Sequence, residues 1–247
     1  VERTGADGVV VRELHRSPNV DKDQSYVLAV MGPDRLARSI FPLGDFASKA
    51  EVRAEAARRG LSVSAKPDSY DICFVADGDT QGFLRDRLGS RPGDVVDTDG
   101  NVVGTHDGSY AYTVGQRRGL ALGRPAADGK PRYVLEVQPS TNTVVVGAAE
   151  LLTVDRLAGE RLVWLAEDVQ ADAPDAWLDA EVQVRAHGAP VPARVRTAAD
   201  GVLEVELTGD RLRGVAAGQS LVVYRGTRVL GQATVSGAWR AGAATSR

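Results

Sequence analysis

A series of short apolar segments in the C-terminal third constrains the fold of this chain more than any other feature. The segments recur at regular spacing, and Gly201, Gly218 and Gly226 separate several of them. So many short strands in so short a stretch are typical of small closed β-barrels. We therefore predict a barrel over residues 159–247, with strands at 161–165, 177–185, 191–196, 202–207, 220–224 and 228–235.

The central part of the chain also has the pattern of strands. Val95-Val96 and Val102-Val103 flank Asp99-Gly100, which accepts the positive φ angles of a tight hairpin turn. We predict further strands at residues 110–114, 133–137 and 143–146. The change from apolar strands to an acidic stretch predicts a linker at residues 151–159.

The N-terminal part has the pattern of short helices. Ser48 followed by Glu51 is a capping box, and Gly60 ends the helix that it starts. Shorter helices are expected at residues 26–31, 33–39 and 81–88, and a strand at 9–14. Residues 72–75 form a short apolar run that predicts a buried strand.

Composition excludes several classes of protein. The formal net charge of −3 argues against a generally basic nucleic-acid coat, although residues 181–247 hold nine arginines against five acids. No apolar run is long enough to span a membrane. A single cysteine cannot form an internal disulfide, so a reducing cytoplasm is the expected setting.

That cysteine, Cys73, is the first candidate for chemistry, because a thiol acts as a nucleophile when it is accessible and ionised. Its acidic neighbours Asp68, Asp71 and Asp77 disfavour the thiolate. A persulfide needs less activation than a thiol, because its terminal sulfur is more acidic than a thiol sulfur. Burial as a packing residue between Ile72 and Phe74 is the alternative.

Two polar segments are further candidates. Lys22, Asp23 and Gln24 offer a cation, a carboxylate and an amide to a nucleotide, or else form the solvated first turn of a helix. Arg117 and Arg118 lie between glycines in YTVGQRRGL, where forked donors grip phosphates, although an exposed β-turn is the simpler interpretation.

Other chemistries lack a pattern. His15, His106 and His187 lie far apart without metal-ligand spacing, so no metal site is expected. The chain has no serine elbow, no P-loop and no dinucleotide fingerprint.

Taken together, KDQSYVL, FPLG, AKPDSYDICFV, GTHDG, YTVGQRRGL and NTVVVG resemble the bacterial tRNA-specific 2-thiouridylases, the MnmA/TrmU family. The motifs occur in the family's order over about residues 20–150. The barrel resembles the family less sharply, through AGQS at residues 217–220 and VQVR at residues 182–185.

The resemblance implies thiolation of carbon 2 of the wobble uridine in tRNA, with ATP and Mg²⁺ activating the base and a cysteine persulfide delivering sulfur. It implies that Cys73 carries the persulfide, that a donor protein of a persulfide relay supplies it, and that tRNA contacts Lys22, Asp23, Gln24, Arg185, Ala186 and Gln219. Ala186 departs from the larger residue usual in the family, which puts its side-chain contact in doubt.

The resemblance also implies an α+β, mainly β fold with three parts: a C-terminal remnant of a PP-loop ATP-pyrophosphatase domain at 1–75, a β-rich domain at 76–158 and the barrel at 159–247. The family's phosphate loop and second catalytic cysteine are expected before Val1, so we expect this chain alone not to complete the reaction. The alternatives are a small RNA-binding barrel protein with an incidental cysteine, and a thiol-redox protein, which the acidic neighbours of Cys73 disfavour.

Overall fold

The computed structural model describes residues 1–4, 8, 10–66, 79–120, 122–123, 128–166, 169 and 176–242. These residues form two compact units. The first contains residues 1–67, 155–210 and 217–247, and the second contains residues 68–154 and 211–216. The predicted strand at 72–75 and Cys73 lie outside the described residues.

The first unit begins with a two-stranded hairpin and three helices. They are β1 (Glu2–Thr4), β2 (Val10–Arg12), α1 (Ser25–Leu28), α2 (Gly32–Leu36) and α3 (Lys49–Arg58), with short 3₁₀ turns at Val20–Lys22, Ala29–Met31 and Ser62–Ala65. The predicted helix start is confirmed, because the Ser48 hydroxyl accepts a hydrogen bond from the Glu51 amide at 3.2 Å, although the Glu51 side chain bonds the Ala47 amide and not the Ser48 amide of a complete capping box. The Glu51 carboxylate in turn accepts one from the Ala47 amide at 3.3 Å.

The second unit holds a helix and a four-stranded sheet. Its elements are α4 (Thr80–Leu88), β3 (Gly93–Val96), β4 (Val102–His106), β5 (Tyr133–Gln138), β6 (Thr143–Gly147) and the short β7 (Thr153–Val154). The sheet order is β4-β3-β6-β5, so the predicted hairpin of β3 and β4 is confirmed. Its core contains Val95, Val134, Val144 and Val146, each at most 1% exposed.

The barrel completes the first unit. Its strands are β8 (Arg156–Trp164), β9 (Leu178–Gln183), β10 (Val191–Thr197), β11 (Leu203–Leu207), β13 (Ser220–Arg225) and β14 (Arg228–Trp239), while the intervening β12 (Leu212–Arg213) pairs with β7 in the second unit. The six strands close in the order β10-β11-β8-β14-β13-β9, which confirms the predicted barrel and the mainly β, α+β fold class. In β11, Leu203, Val205 and Leu207 are buried while the residues between them are not, as period-two alternation requires.

The N-terminal helices pack on the barrel within the first unit. Leu14, Ala29 and Leu36 form one buried cluster with barrel residues that include Val222 and Tyr224. The amide of Val229 donates to the carbonyl of Leu14 at 2.8 Å, so the chain just after β2 continues the hydrogen bonding of β14. This attachment brings the loop before α1 close to the barrel.

Two predictions from the pattern are wrong in detail. Residues 110–114 form no strand, because a 3₁₀ turn at Ser109–Ala111 is followed by a loop that the side chain of Gln116 holds. The predicted linker at 151–159 contains β7 and the start of β8. Leu157 is 1% exposed inside the barrel, and the acidic composition nearby does not reveal such burial.

No helix in the described part of the chain is long and apolar enough to cross a membrane.

Candidate functional site

The Lys22-Asp23-Gln24 segment enters α1 with its side chains facing different ways. The Asp23 carboxylate accepts hydrogen bonds from the amides of Ser17 and Ser25, both at 3.1 Å, and from the Ser25 hydroxyl at 2.7 Å. Lys22 and Gln24 are exposed. The segment therefore exposes a cation and an amide, although the Gln24 amide also donates to the Asp23 carbonyl at 3.4 Å, while Ser17 and Ser25 bind the carboxylate between them.

Arg16 connects this segment to the barrel. Its guanidinium carbon lies 3.8 Å from the ring centroid of Tyr224, and Nη2 donates to Oε1 of Gln183 at 2.6 Å. Its Nη1 lies 3.8 Å from the Asp23 carboxylate. Guanidinium groups are suited to such sites because the planar fork stacks on a ring and donates in its own plane at the same time.

Gln183, at the end of β9, connects Arg16 to the following turn. It is 3% exposed, and its Nε2 donates to the carbonyls of Arg185 and Ala186 at 2.7 and 3.3 Å. The amide of Gly188 closes the turn on the Arg185 carbonyl at 3.0 Å. Arg185 and Ala186 are exposed at the tip.

Tyr26 connects α1 to the third predicted contact group. Its phenol oxygen donates to the carbonyl of Ser220 at 2.9 Å, next to Gln219. Burial raises the pKa of Tyr26, while the bond to Ser220 and the charge of Arg185 act in the opposite direction. Arg185 and Gln219 therefore both lie near Tyr26. Lys22–Gln24, Arg185–Ala186 and Gln219 belong to one region of the first unit.

A cavity of about 980 Å³ opens beside this region. Lys22, Gln24 and Lys49 line it together with the aromatic side chains of Phe41 and Phe46. Partial burial lowers the pKa of Lys49, and the nearby charges of Arg53 and Lys22 lower it further. The sequence analysis did not predict this cavity, because its walls come from segments without a common motif.

The paired arginines lie in the second unit, on a loop held by Gln116. The side-chain oxygen of Gln116 accepts from the Thr113 amide at 3.1 Å, and its nitrogen donates to the Arg118 carbonyl at 2.9 Å. Arg117 and Arg118 are exposed.

The glycines on either side of the arginines have left-handed backbone angles, with φ of +90° at Gly115 and +73° at Gly119. Such angles are unfavourable for residues with a Cβ atom. The two glycines therefore give the loop a defined backbone conformation, in which both arginine side chains are exposed.

The histidines occupy three separate environments. His15 contacts Glu13 and Thr227, each at 2.9 Å. His106 is buried against Tyr112, with ring centroids 5.4 Å apart, and His187 is exposed. In the part of the chain that the structure describes, no group of three His, Cys, Asp or Glu side chains is placed to hold a metal ion.

Three family models match consecutive parts of the chain. They are described as the tRNA methyl transferase HUP domain, at residues 4–77, the tRNA methyl transferase PRC-barrel domain, at 81–148, and the Aminomethyltransferase beta-barrel domain, at 154–235.

Curated relatives match nearly the whole chain. A protein of Beutenbergia cavernae named tRNA-specific 2-thiouridylase MnmA is 65% identical, over 97% of this chain and 62% of the relative. Proteins of the same name from Kineococcus radiotolerans and Micrococcus luteus are 58% and 56% identical, over 95% and 94% of this chain. The chain belongs to the tRNA-specific 2-thiouridylase family.

The chain spans 62–63% of the length of these three 2-thiouridylases. Cys73 lies within the part that matches the HUP domain model and outside the described residues. A single cysteine forms no disulfide within the chain, so the disulfide chemistry that the resemblance implies requires a second thiol from elsewhere.

Among the described residues, no group of side chains fits ATP with its Mg²⁺. The metal needs carboxylate or similar oxygen ligands, and the described residues provide no cluster of them. The triphosphate needs a cradle of backbone amides, and the sequence has no phosphate loop. The described residues therefore provide no site for ATP.

Sequence analysis missed the residues that join the family's predicted contact groups, namely Arg16, Tyr26, Gln183 and Tyr224. Gln183 and Tyr224 each carried a detectable signal. Gln183 lies between two valines and Tyr224 follows an apolar run, and polar-ended side chains in such surroundings need hydrogen-bond partners when they are buried.

Proposed function

We propose that this chain is the tRNA-binding and sulfur-carrying part of a 2-thiouridylase that thiolates carbon 2 of the wobble uridine. The observation that carries the proposal is the common location of Lys22, Gln24, Arg185 and Gln219 in one region of the first unit. These residues come from distant parts of the sequence, and the resemblance to the family implies tRNA contact at each of them.

Asp23 has a different role from its neighbours in this proposal. Its carboxylate is engaged by Ser17 and Ser25, so it holds the loop in place while Lys22 and Gln24 contact the nucleic acid. A phosphate or base edge is the natural partner of an exposed ammonium and amide pair. Ala186 contributes its backbone and small size at the tip of the barrel turn.

The proposed chemistry centres on Cys73 as a persulfide received from a donor protein. Its terminal sulfur attacks carbon 2 of a uridine whose oxygen already carries an activating group, and the carbon–oxygen bond breaks so that the oxygen leaves with that group. A second thiol then attacks the Cys73 sulfur. The sulfur–sulfur bond to the base breaks, a disulfide forms, and the transferred sulfur stays on carbon 2.

The arginine loop of the second unit gives a second electrostatic contact in this proposal. Arg117 and Arg118 are exposed on a backbone shaped by glycines, and guanidinium groups bind phosphates through forked donors. Binding through phosphates releases counterions, so tRNA affinity should fall steeply as salt rises. A flat salt response would contradict the proposed basic surface.

Direct tRNA binding tests the proposal. The chain should bind a tRNA with a wobble uridine, and Lys22→Ala/Gln24→Ala should weaken binding about tenfold. Lys130→Ala, which removes an exposed positive charge in the second unit, is the control and should change affinity little. A chain that binds no tRNA at low salt would overturn the proposal.

Sulfur loading tests the role of Cys73. Incubation with a small-molecule persulfide donor should add one sulfur atom to the intact mass of the wild type and none to Cys73→Ser. Persulfide loading also distinguishes this role from the methyl transfer that two family-model descriptions mention, because methyl transfer uses no persulfide. A cysteine that reacts with peroxide but takes no persulfide sulfur would favour a redox protein.

A further inference from the structure

The polar groups between the N-terminal segment and the barrel form one continuous network. It runs from the Asp23 carboxylate to the Arg16 guanidinium, 3.8 Å away, and from Arg16 to Gln183 at 2.6 Å. From Gln183 it continues to the carbonyls of Arg185 and Ala186. The two ends of the network are the two segments that the proposed function assigns to tRNA contact.

The side chains that form the network are buried or partly buried. Tyr224 is fully buried, Gln183 is 3% exposed and the Arg16 side chain is 18% exposed. A buried amide or guanidinium that loses its partner is left without water to replace it, so each bond in the series favours the others. The loop at 22–24 and the turn at 185–188 are therefore connected through Arg16 and Gln183.

Arg16 contacts both Asp23 and Gln183. Its stacking on Tyr224 fixes the plane of the guanidinium, and that plane directs Nη2 at Gln183. Lysine at this position would keep the charge but not the planar fork.

We propose that Arg16 is a positioning residue that, through Asp23 and Gln183, holds the loop at 22–24 and the turn at 185–188 in the single arrangement that tRNA recognises. This inference rests on the proposed function and adds residues that touch no tRNA themselves. Gln183 acts with Arg16 from the barrel side. Loss of either residue should impair both contact segments at once.

The test compares Arg16→Lys with Arg12→Lys in the full chain. Arg12 is an exposed arginine of β2, paired with Glu2, and serves as the matched control. Arg16→Lys should lower tRNA affinity about tenfold while Arg12→Lys leaves it unchanged. Gln183→Met, which keeps the side-chain length but removes the amide, should reproduce the effect of Arg16→Lys.

A double-mutant cycle with Gln24→Ala separates positioning from general destabilisation. If Arg16 acts through the loop, Gln24→Ala costs less affinity in the Arg16→Lys background than in the wild type. A variant that only lowers the folded fraction would reduce tRNA affinity by the same factor with or without Gln24→Ala. Independent effects, or unchanged affinity in folded Arg16→Lys, would overturn the inference.

Hydrogen exchange without tRNA keeps the inference testable if the chain binds none. The reporter amides are Ser17 and Ser25, bonded to Asp23, and Gly188, bonded to Arg185. Arg16→Lys should speed exchange at all three, and Arg12→Lys at none. If only one segment responds, the proposed linkage is wrong whatever the outcome for tRNA, whereas a joint response without tRNA binding contradicts the proposed function alone.

Discussion

The hydroxyl of Ser25 lies 3.3 Å from the phenol oxygen of Tyr224, across 199 residues of sequence. Both residues are buried, and Ser25 also donates to the Asp23 carboxylate. The contact joins the first turn of α1 to β13. The folded barrel is thereby tied to a segment that precedes it by more than half the chain.

Removal of the Tyr224 hydroxyl should destabilise the protein without disturbing the stacking of Arg16. Tyr224→Phe keeps the ring and leaves Ser25 without one buried partner, so the free energy of unfolding should fall by about 1 kcal/mol. Denaturant unfolding measures the change. The control is Tyr110→Phe, whose hydroxyl bonds the Gly89 carbonyl at an exposed site and should cost less. Equal losses would contradict the role assigned to burial.

Acid should loosen the N-terminal hairpin through Glu13. Burial alone would raise the pKa of Glu13, but the hydrogen bond from His15 and the charges of Arg228 and Arg3 outweigh it, so the pKa lies below its ordinary 4.5. A carboxyl with a lowered folded-state pKa stabilises the fold fully above its unfolded pKa. That stability is lost as pH falls through the lower, folded value.

Glu13→Gln tests this pH dependence. The variant should be less stable than wild type at neutral pH, and the two stability curves should converge only as pH falls below the ordinary pKa of 4.5. Glu2→Gln, at an exposed carboxylate paired with Arg12, is the control and should follow the wild type. A constant gap between wild type and Glu13→Gln at every pH would contradict the prediction.

The arginine loop should depend on the left-handed backbone of Gly119. An added Cβ has room, since its nearest neighbour would be Gln116 at 3.8 Å, so the cost of Gly119→Ala comes from the φ of +73°. We expect a loss of about 1 kcal/mol in unfolding free energy and weaker tRNA binding. The control is Gly123→Ala, where the φ is not left-handed and the nearest contact would be 3.9 Å away.

The capping box should stabilise α3 locally rather than the whole protein, because this helix has no buried residue. Ser48→Ala should cost the helix about 1 kcal/mol and speed amide exchange at Glu51, with little change in global unfolding. Ser48→Asp should restore protection, because aspartate is a good N-cap. Failure of that rescue would mean that Ser48 acts through something other than capping.

Local features could be predicted from the sequence alone. The capping box of Ser48 and Glu51, the hairpin around Asp99-Gly100 and the alternation in β11 each depend on residues a few positions apart. Helix caps, turns and strand periodicity are encoded at that range. The family motifs likewise indicated which residues to examine for tRNA contact.

Only the tertiary structure decided how the candidate site is organised. The sequence grouped Lys22, Asp23 and Gln24 as equals, whereas the fold turns Asp23 inward onto Ser17 and Ser25. Barrel closure places Gln183 beside Arg16, and no local pattern specifies a contact 167 residues apart. Side-chain direction at such positions depends on which strands pair and what they bury. The short-range periodicity of the sequence does not specify that pairing.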